Sequence, residues 1–218
     1  TPAIGGNGWT IDGYTFAGWT TSPDGGGTKY APGASWTANG TLTLYAQWTP
    51  GEAGLTYDGN GATGGKTDPQ NGVTDQKVNV RQNGFTRDGY TFVRWDTQAD
   101  CRGKAVNLGD KWTLQGSSTL YACWAGNVQT LTYHGNGATD GNTAAQSGKT
   151  GDELTTNANG FTRDGYTFVE WNTKADGTGG HYGKSTNGVA KWTMLPAGND
   201  LYAIWQANPA NIRYRDDW

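Results

Sequence analysis

The segment that decides the fold is Asp88-Gly89-Tyr90-Thr91-Phe92-Val93-Arg94-Trp95, and the chain carries three versions of it. Its first five residues recur at residues 12–16 and 164–168, at a spacing of 76 residues. Asp-Gly favours a turn in which the glycine adopts a positive φ, and a run of β-branched and aromatic residues favours a strand. Each copy therefore predicts a turn that leads into a strand, within a unit that is repeated along the chain.

A second recurring segment marks where each repeat closes. Leu120-Tyr121-Ala122-Cys123-Trp124 has counterparts at residues 44–48 and 201–205. The last spacing is 81 residues, so the third repeat carries five extra residues. In the second repeat this segment also reads as a strand, with Leu120, Ala122 and Trp124 on one face.

The two recurring segments together divide the chain. We assign a partial first repeat to residues 1–48, a second repeat to 55–124 and a third to 131–205, with short linkers at 49–54 and 125–130. The tail, 206–218, either begins a further repeat of a longer array, since Ile212-Arg213-Tyr214 resembles Leu55-Thr56-Tyr57, or supplies a strand that completes the truncated first repeat.

The composition predicts an aromatic core. The 11 tryptophans, 11 tyrosines and 5 phenylalanines outnumber the isoleucines, leucines and valines, and 36 of the 218 residues are glycine. Few aliphatic residues are typical of disorder, but disordered chains usually combine them with a high net charge, and this chain has a formal charge of −3. Because a large aromatic side chain can bury about 150–250 Å², recurring residues such as Trp19, Trp95 and Trp171 can supply a core.

Strand signals dominate the rest of the sequence. Lys77-Val78-Asn79-Val80 alternates as a strand does, and glycine-rich stretches such as residues 59–65 read as loops. No long window has a helical period, so any helix is short and lies within residues 69–82 or their counterpart. The sequence therefore predicts a mostly β, small α+β module that is repeated in tandem.

Composition and charge exclude several classes of protein. No run of 18 apolar residues exists, so we expect no membrane insertion, and the sequence contains no signal peptide. With 16 Lys and Arg against 19 Asp and Glu and no basic block, we expect no binding to nucleic acid.

The two cysteines, Cys101 and Cys123, both lie in the second repeat, and both are absent from the other two repeats. Joint presence in one copy and joint absence elsewhere predict a disulfide, which would imply an oxidising, extracellular setting. The alternative is two unpaired thiols, one of them buried in the last strand of the repeat.

No motif in the chain predicts catalysis, a cofactor or a metal. Residues 59–64 match G-x-G-x-x-G, but a helix breaker follows them, so a tight glycine turn explains them better than a dinucleotide site. His134 and His181 have no second ligand at metal-binding spacing. The recurring acids lie in glycine turns, where Asp commonly binds backbone N–H groups. We therefore assign no catalytic, cofactor-binding or metal residue and expect no enzyme.

The recurring segments resemble a known family. Residues 83–95, followed by residues 120–124, resemble the Listeria–Bacteroides repeat, a family that includes the B repeat of internalin B. The closing segment of the third repeat, residues 194–205, is similar to the same pattern. The resemblance implies a β-grasp-like module, related in shape to mucin-binding repeats, that occurs in tandem in bacterial cell-surface and secreted proteins and has no shared catalytic residues.

Two functional hypotheses follow from the resemblance and the array. The first is a non-catalytic module of a bacterial cell-surface or secreted protein that contacts host glycan, mucin or matrix protein, or that serves as a stalk in contact with neighbouring repeats. The alternative is an accessory carbohydrate-binding or spacer region of a secreted glycosidase. Tyr30 and Tyr182 are the candidate ligand contacts, because the second repeat has Val106 at the same position and core packing therefore does not require an aromatic there.

Overall fold

A computed structural model describes residues 3–37 and 40–210 of the chain. Across these residues it contains strands and no helix, which confirms the mostly β prediction. The strands in chain order are β1 (Tyr14–Thr20), β2 (Lys29–Tyr30), β3 (Tyr45–Pro50), β4 (Glu52–Asp58), β5 (Gly64–Gly65), β6 (Gln70–Val73), β7 (Lys77–Asn79), β8 (Phe85–Thr86), β9 (Tyr90–Asp96), β10 (Ala105–Val106), β11 (Lys111–Thr113), β12 (Ser117–Gly126), β13 (Val128–His134), β14 (Asp140–Gly141), β15 (Gln146–Lys149), β16 (Glu153–Thr155), β17 (Phe161–Thr162), β18 (Tyr166–Asn172), β19 (His181–Tyr182), β20 (Lys191–Thr193) and β21 (Asp200–Ala207).

The second and third repeats have the same sheet topology. The second repeat has a five-stranded sheet with the strand order β10-β9-β12-β4-β6. The third repeat has the equivalent sheet, with the strand order β19-β18-β21-β13-β15. In each sheet the first and last long strands of the repeat pair in parallel, β4 with β12 and β13 with β21. The first repeat contributes a three-stranded sheet, β2-β1-β3.

Residues 69–82, the place where we expected any short helix to lie, contain no helix. The segment forms β6 and β7 instead. β6 pairs with β4, and β7, which the alternation of Lys77-Val78-Asn79-Val80 predicts, pairs with β11. Because no helix packs on the sheets of the described residues, the β-grasp likeness remains a prediction.

Each complete repeat is built around one tryptophan. Trp95 and Trp171 are 1% and 0% exposed, and their indole N–H groups donate to the carbonyls of Arg81 and Asn157 at 3.0 and 3.1 Å. A buried indole that has a hydrogen-bond partner avoids the cost of an unsatisfied donor. Around Trp171 the buried apolar residues are Leu131, Tyr133, Trp192, Met194, Leu201 and Ala203.

The described residues form two compact units. One contains the described residues up to Thr86 together with Phe92–Cys123, and the other contains Arg87–Thr91 together with the described residues from Trp124 onward. The expected linkers are mostly strand: residues 49–50 end β3, and residues 125–126 end β12. Of the tail, residues 211–218 lie outside the described part of the chain, and the hypotheses about a further strand there concern those residues.

The structure contains the disulfide between Cys101 and Cys123, with the Cα atoms 5.9 Å apart and the sulfurs 2.00 Å apart. It ties the loop after β9 to the closing strand β12. In the third repeat the equivalent positions are Gly177 and Ile204, and the isoleucine side chain lies 3.5 Å from the place that a Cβ at Gly177 would occupy. The third repeat thus has the isoleucine side chain beside a glycine at the place where the second repeat has a covalent bond.

We expect reduction of this disulfide to lower the free energy of unfolding of the second repeat by about 3 kcal/mol, because the bond closes a loop with a sequence separation of 22 residues. Urea unfolding with and without reductant measures the change. The double variant Cys101→Gly, Cys123→Ile, which carries the third repeat's residues, is the matched control and should unfold at the same urea concentration in both conditions. Alkylation of two thiols without prior reduction would contradict the prediction.

Candidate functional site

The recurring Asp-Gly-Tyr turn is the best candidate for a functional element. Gly13, Gly89 and Gly165 have φ values of 78°, 74° and 75°, a left-handed conformation that glycine adopts without steric cost. In each turn the N–H of the following tyrosine donates to the carbonyl three residues earlier. The turn glycine's own carbonyl bonds elsewhere, with a residue 38 to 43 positions further along the chain.

In the first unit this carbonyl starts a chain of backbone hydrogen bonds. The N–H of Gly51 donates to the carbonyl of Gly13 at 2.7 Å, and the carbonyl of Gly51 accepts from the N–H of Thr74 at 2.9 Å. The hydroxyl of Thr74 donates to the same carbonyl at 3.3 Å. The turn of the first repeat is thereby bonded, through the single residue between β3 and β4, to the second repeat. We call this arrangement of turn glycine, linker residue and threonine a clamp.

The second unit contains the same clamp with different residues. The N–H of Asn127 donates to the carbonyl of Gly89 at 2.8 Å, and the carbonyl of Asn127 accepts from the N–H of Thr150 at 2.9 Å. The hydroxyl of Thr150 lies 3.4 Å from that carbonyl, and the hydroxyl of Thr91 donates to the side-chain oxygen of Asn127 at 2.6 Å. Two clamps with the same donors and acceptors therefore occur 76 residues apart.

Close packing accompanies the hydrogen bonds. A Cβ atom at Gly13 would lie 2.7 Å from the hydroxyl oxygen of Thr74, and one at Gly89 would lie 2.9 Å from that of Thr150. Both threonines are buried, at 5% and 6% exposure. The clamp thus requires glycine for two reasons. The turn position has a positive φ, and a side chain there would clash with the threonine.

The tyrosine after each turn glycine packs beside the threonine. The hydroxyl of Tyr14 donates to the carboxylate of Asp75 at 2.5 Å, and this hydrogen bond raises the pKa of Tyr14. The hydroxyl of Tyr90 lies 2.9 Å from the position of a Cβ at Gly151, the residue equivalent to Asp75. In both clamps the tyrosine covers the residue that follows the threonine.

The sequence prediction missed the clamps because it treated the turns and the linkers separately. Thr74 and Thr150 recur at the spacing of the turns, but the linker residues at that spacing, Gly51 and Asn127, differ. The interaction itself joins backbone groups, which leave no side-chain pattern in the sequence.

The glycine-rich segment at residues 59–64 also has a structural explanation. Asn60 has a φ of 45°, and its side-chain amide donates to the carbonyls of Ala99 and Ala122 at 2.7 and 2.9 Å. Asn136 makes the equivalent pair of bonds in the third repeat, to Ala175 and Ala203. These asparagines join the loop to the closing strand, a role that the sequence prediction did not assign.

The candidate contacts Tyr30 and Tyr182 lie on edge strands, β2 and β19, and both are half-buried. They pair in register with Trp19 and Trp171. The ring of Tyr182 also packs edge-on against Trp192, with 5.0 Å between ring centroids. The two tyrosines belong to different units, so each would act in its own repeat.

The two histidines each bond to an acid rather than to a shared centre. The Nε2 atom of His134 lies 2.7 Å from the carboxylate of Asp200, and the Nδ1 atom of His181 lies 2.5 Å from that of Glu170. Within residues 3–37 and 40–210, no three His, Cys, Asp or Glu side chains converge as metal ligands. No helix of sufficient length and apolarity to span a membrane occurs in these residues.

Curated bacterial proteins share sequence with parts of this chain. The putative Gly-rich membrane protein of Evansella cellulosilytica is 34% identical over 133 residues, which cover 57% of this chain and 15% of that protein. A putative membrane protein of the same organism is 37% identical over 89 residues, covering 39% and 13%. Internalin H of Listeria monocytogenes is 34% identical over 119 residues, covering 52% and 19%.

The matched part is thus less than a fifth of each of these relatives. No solved structure matches the chain. The family model of the Listeria-Bacteroides repeat domain matches residues 7–47, 54–123 and 130–203. By these three matches, the chain belongs to the Listeria–Bacteroides repeat family.

Proposed function

We propose that the chain is a non-catalytic stalk of a bacterial cell-envelope protein, exposed outside the cell, in which successive repeats are held by clamps. The relatives described as membrane proteins, and the internalin, support an envelope location. The disulfide between Cys101 and Cys123 supports an oxidising, extracellular setting.

The observation that carries the proposal is the repetition of the clamp. Gly13, Gly51 and Thr74 in one unit have the same hydrogen bonds as Gly89, Asn127 and Thr150 in the other. A flexible tether between modules has no need of a buried, backbone-bonded connection, whereas a stalk depends on connections that hold.

The placement of the aromatic residues supports the same function. The tryptophans that recur at Trp95 and Trp171 are buried, and their neighbours Tyr57 and Tyr133 pack against them with ring centroids 4.8 and 4.9 Å apart. Burial raises the pKa of both tyrosines. These rings stabilise the repeats and are not available to stack on a ligand.

Proteolysis by an enzyme that cleaves after glutamate tests the stalk. The chain has three glutamates, Glu52 in the first linker, Glu153, and Glu170, which is 5% exposed. We expect cleavage after Glu52 to be as slow as cleavage after buried Glu170, because Glu52 lies in β4 beside the clamped residue Gly51.

The rates of the three cuts, followed by mass spectrometry on the folded chain, give the result directly. The exposed Glu153 reports how fast an accessible strand residue is cleaved in the same sample. Rapid cleavage after Glu52 that leaves the rest of the chain intact would show a flexible tether and overturn the stalk proposal.

A second candidate function is contact with host glycan, mucin or matrix protein, or with carbohydrate as an accessory region of a secreted glycosidase. The observation that favours it is the position of Tyr30 and Tyr182 at the edges of their sheets, where each ring is only half-buried. Aromatic rings with an apolar face and a polar hydroxyl suit sugar binding.

A binding assay separates the two functions. We expect the chain, tested on a glycan array and on immobilised mucin at high micromolar concentration, to show no saturable binding. Tyr30→Val and Tyr182→Val copy Val106, which is 3% exposed at the same position of the second repeat, and therefore preserve packing. Saturable binding that these two variants abolish would establish the ligand-contact function instead.

A further inference from the structure

The third Asp-Gly-Tyr turn carries half of a clamp. The N–H of Asn208 donates to the carbonyl of Gly165 at 2.8 Å, as Asn127 does to Gly89. The hydroxyl of Thr167 donates to the side-chain oxygen of Asn208 at 2.6 Å, the same distance as between Thr91 and Asn127. The turn and its linker residue therefore have the geometry of the two complete clamps.

The threonine half has no counterpart among residues 3–37 and 40–210. No N–H or hydroxyl of these residues donates to the carbonyl of Asn208, and none of their atoms lies within 4 Å of a Cβ built at Gly165. Tyr166, which corresponds to Tyr14 and Tyr90, is 38% exposed, and its ring packs against the guanidinium group of Arg163 at 3.9 Å.

We propose that Gly165, Tyr166 and Asn208 form a docking surface for one further Listeria–Bacteroides repeat, which binds by supplying a threonine equivalent to Thr74 and Thr150. The occupant is specified by the two complete clamps. In each of them a backbone N–H and a buried threonine side chain from the next repeat meet the linker carbonyl and the turn glycine.

The proposal rests on the proposed stalk function, and it specifies which kind of domain binds at this surface of the stalk. The surface has the same two groups that the threonine meets in the complete clamps. Asn208 is exposed and its carbonyl can accept a hydrogen bond, and the space beside Gly165 is open to an approaching side chain. The ring of Tyr166 then covers the residue that follows the threonine, as Tyr90 lies over Gly151.

The test extends the full chain by one repeat of known sequence. Residues 1–208 are followed directly by a second copy of residues 128–210, so that the copied Thr150 stands to Asn208 as Thr150 stands to Asn127. NMR of threonine- and leucine-labelled samples follows hydrogen exchange at the copied Thr150 and at the copied core leucines. We expect the N–H of the copied Thr150 to exchange at least about 100-fold more slowly than an unstructured amide, in the range of the original Thr150.

Two variants of Asn208 make the test specific. Asn208→Gly copies Gly51 and should preserve the slow exchange. Asn208→Pro removes the N–H that donates to Gly165 and should accelerate exchange at the copied threonine at least about tenfold, with Thr74 and the original Thr150 unchanged. Slow exchange at the copied Leu131 and Leu201, which are core residues, shows that the added repeat is folded.

Fast exchange at the copied threonine within a folded added repeat would overturn the proposal, as would equal rates in the glycine and proline variants. A second chain, residues 1–207 followed by a copy of residues 51–126, repeats the test with Thr74 as the reporter. Failure of both added repeats to fold also counts against docking. If the proposed stalk function were wrong, the unextended chain would be cleaved rapidly after Glu52. That result is distinct from fast exchange at the copied threonine, which would contradict docking alone.

Discussion

The left-handed glycine of the Asp-Gly-Tyr turn is the constraint on which the connections between repeats depend. Its conformation directs the carbonyls of Gly13 and Gly89 toward a linker N–H, and its lack of a Cβ lets a buried threonine approach within van der Waals contact. The bonds that result join backbone carbonyls, which every residue has, to backbone N–H groups, which every residue except proline has. For that reason Gly51 and Asn127 can serve equally as linker residues, and the contact survives sequence differences between repeats.

The repeats keep the tryptophan core and the clamp and differ at other positions of the sheet, some of them buried. At one position of the long strand the second repeat has Arg94, and the third has Glu170, bonded to His181. The disulfide between Cys101 and Cys123 has Gly177 and Ile204 at the equivalent positions of the third repeat. The backbone tolerates these exchanges because the interactions that set its path, the buried indole and the asparagine at the glycine-rich loop, lie elsewhere. A fold in which the residues that set the backbone path are separate from the residues that vary suits a repeated structural element.

Much of the fold could be predicted from the sequence, and the reasons are local. The strand β9 follows from its β-branched and aromatic residues, and the disulfide follows from two cysteines present in one repeat only. Within residues 69–82 the alternation of Lys77-Val78-Asn79-Val80 predicts β7, whereas β6 has no such pattern and forms by pairing with β4. The clamps could not be read for a related reason, since a bond between the carbonyl of Gly89 and the N–H of Asn127 has no residue signature.

The measurement that tests the central claim most directly is residue-resolved hydrogen exchange on the unmodified chain under native conditions. The amides to compare are those of Gly51, Thr74, Asn127 and Thr150 in the clamps and those of the core strands β9 and β18. The account predicts that the clamp amides exchange slowly, because the free energy of the opening that exposes them is comparable to the free energy of opening the core strands. Exchange of the clamp amides at the rate of exposed loops, while the core strands remain protected, would contradict it.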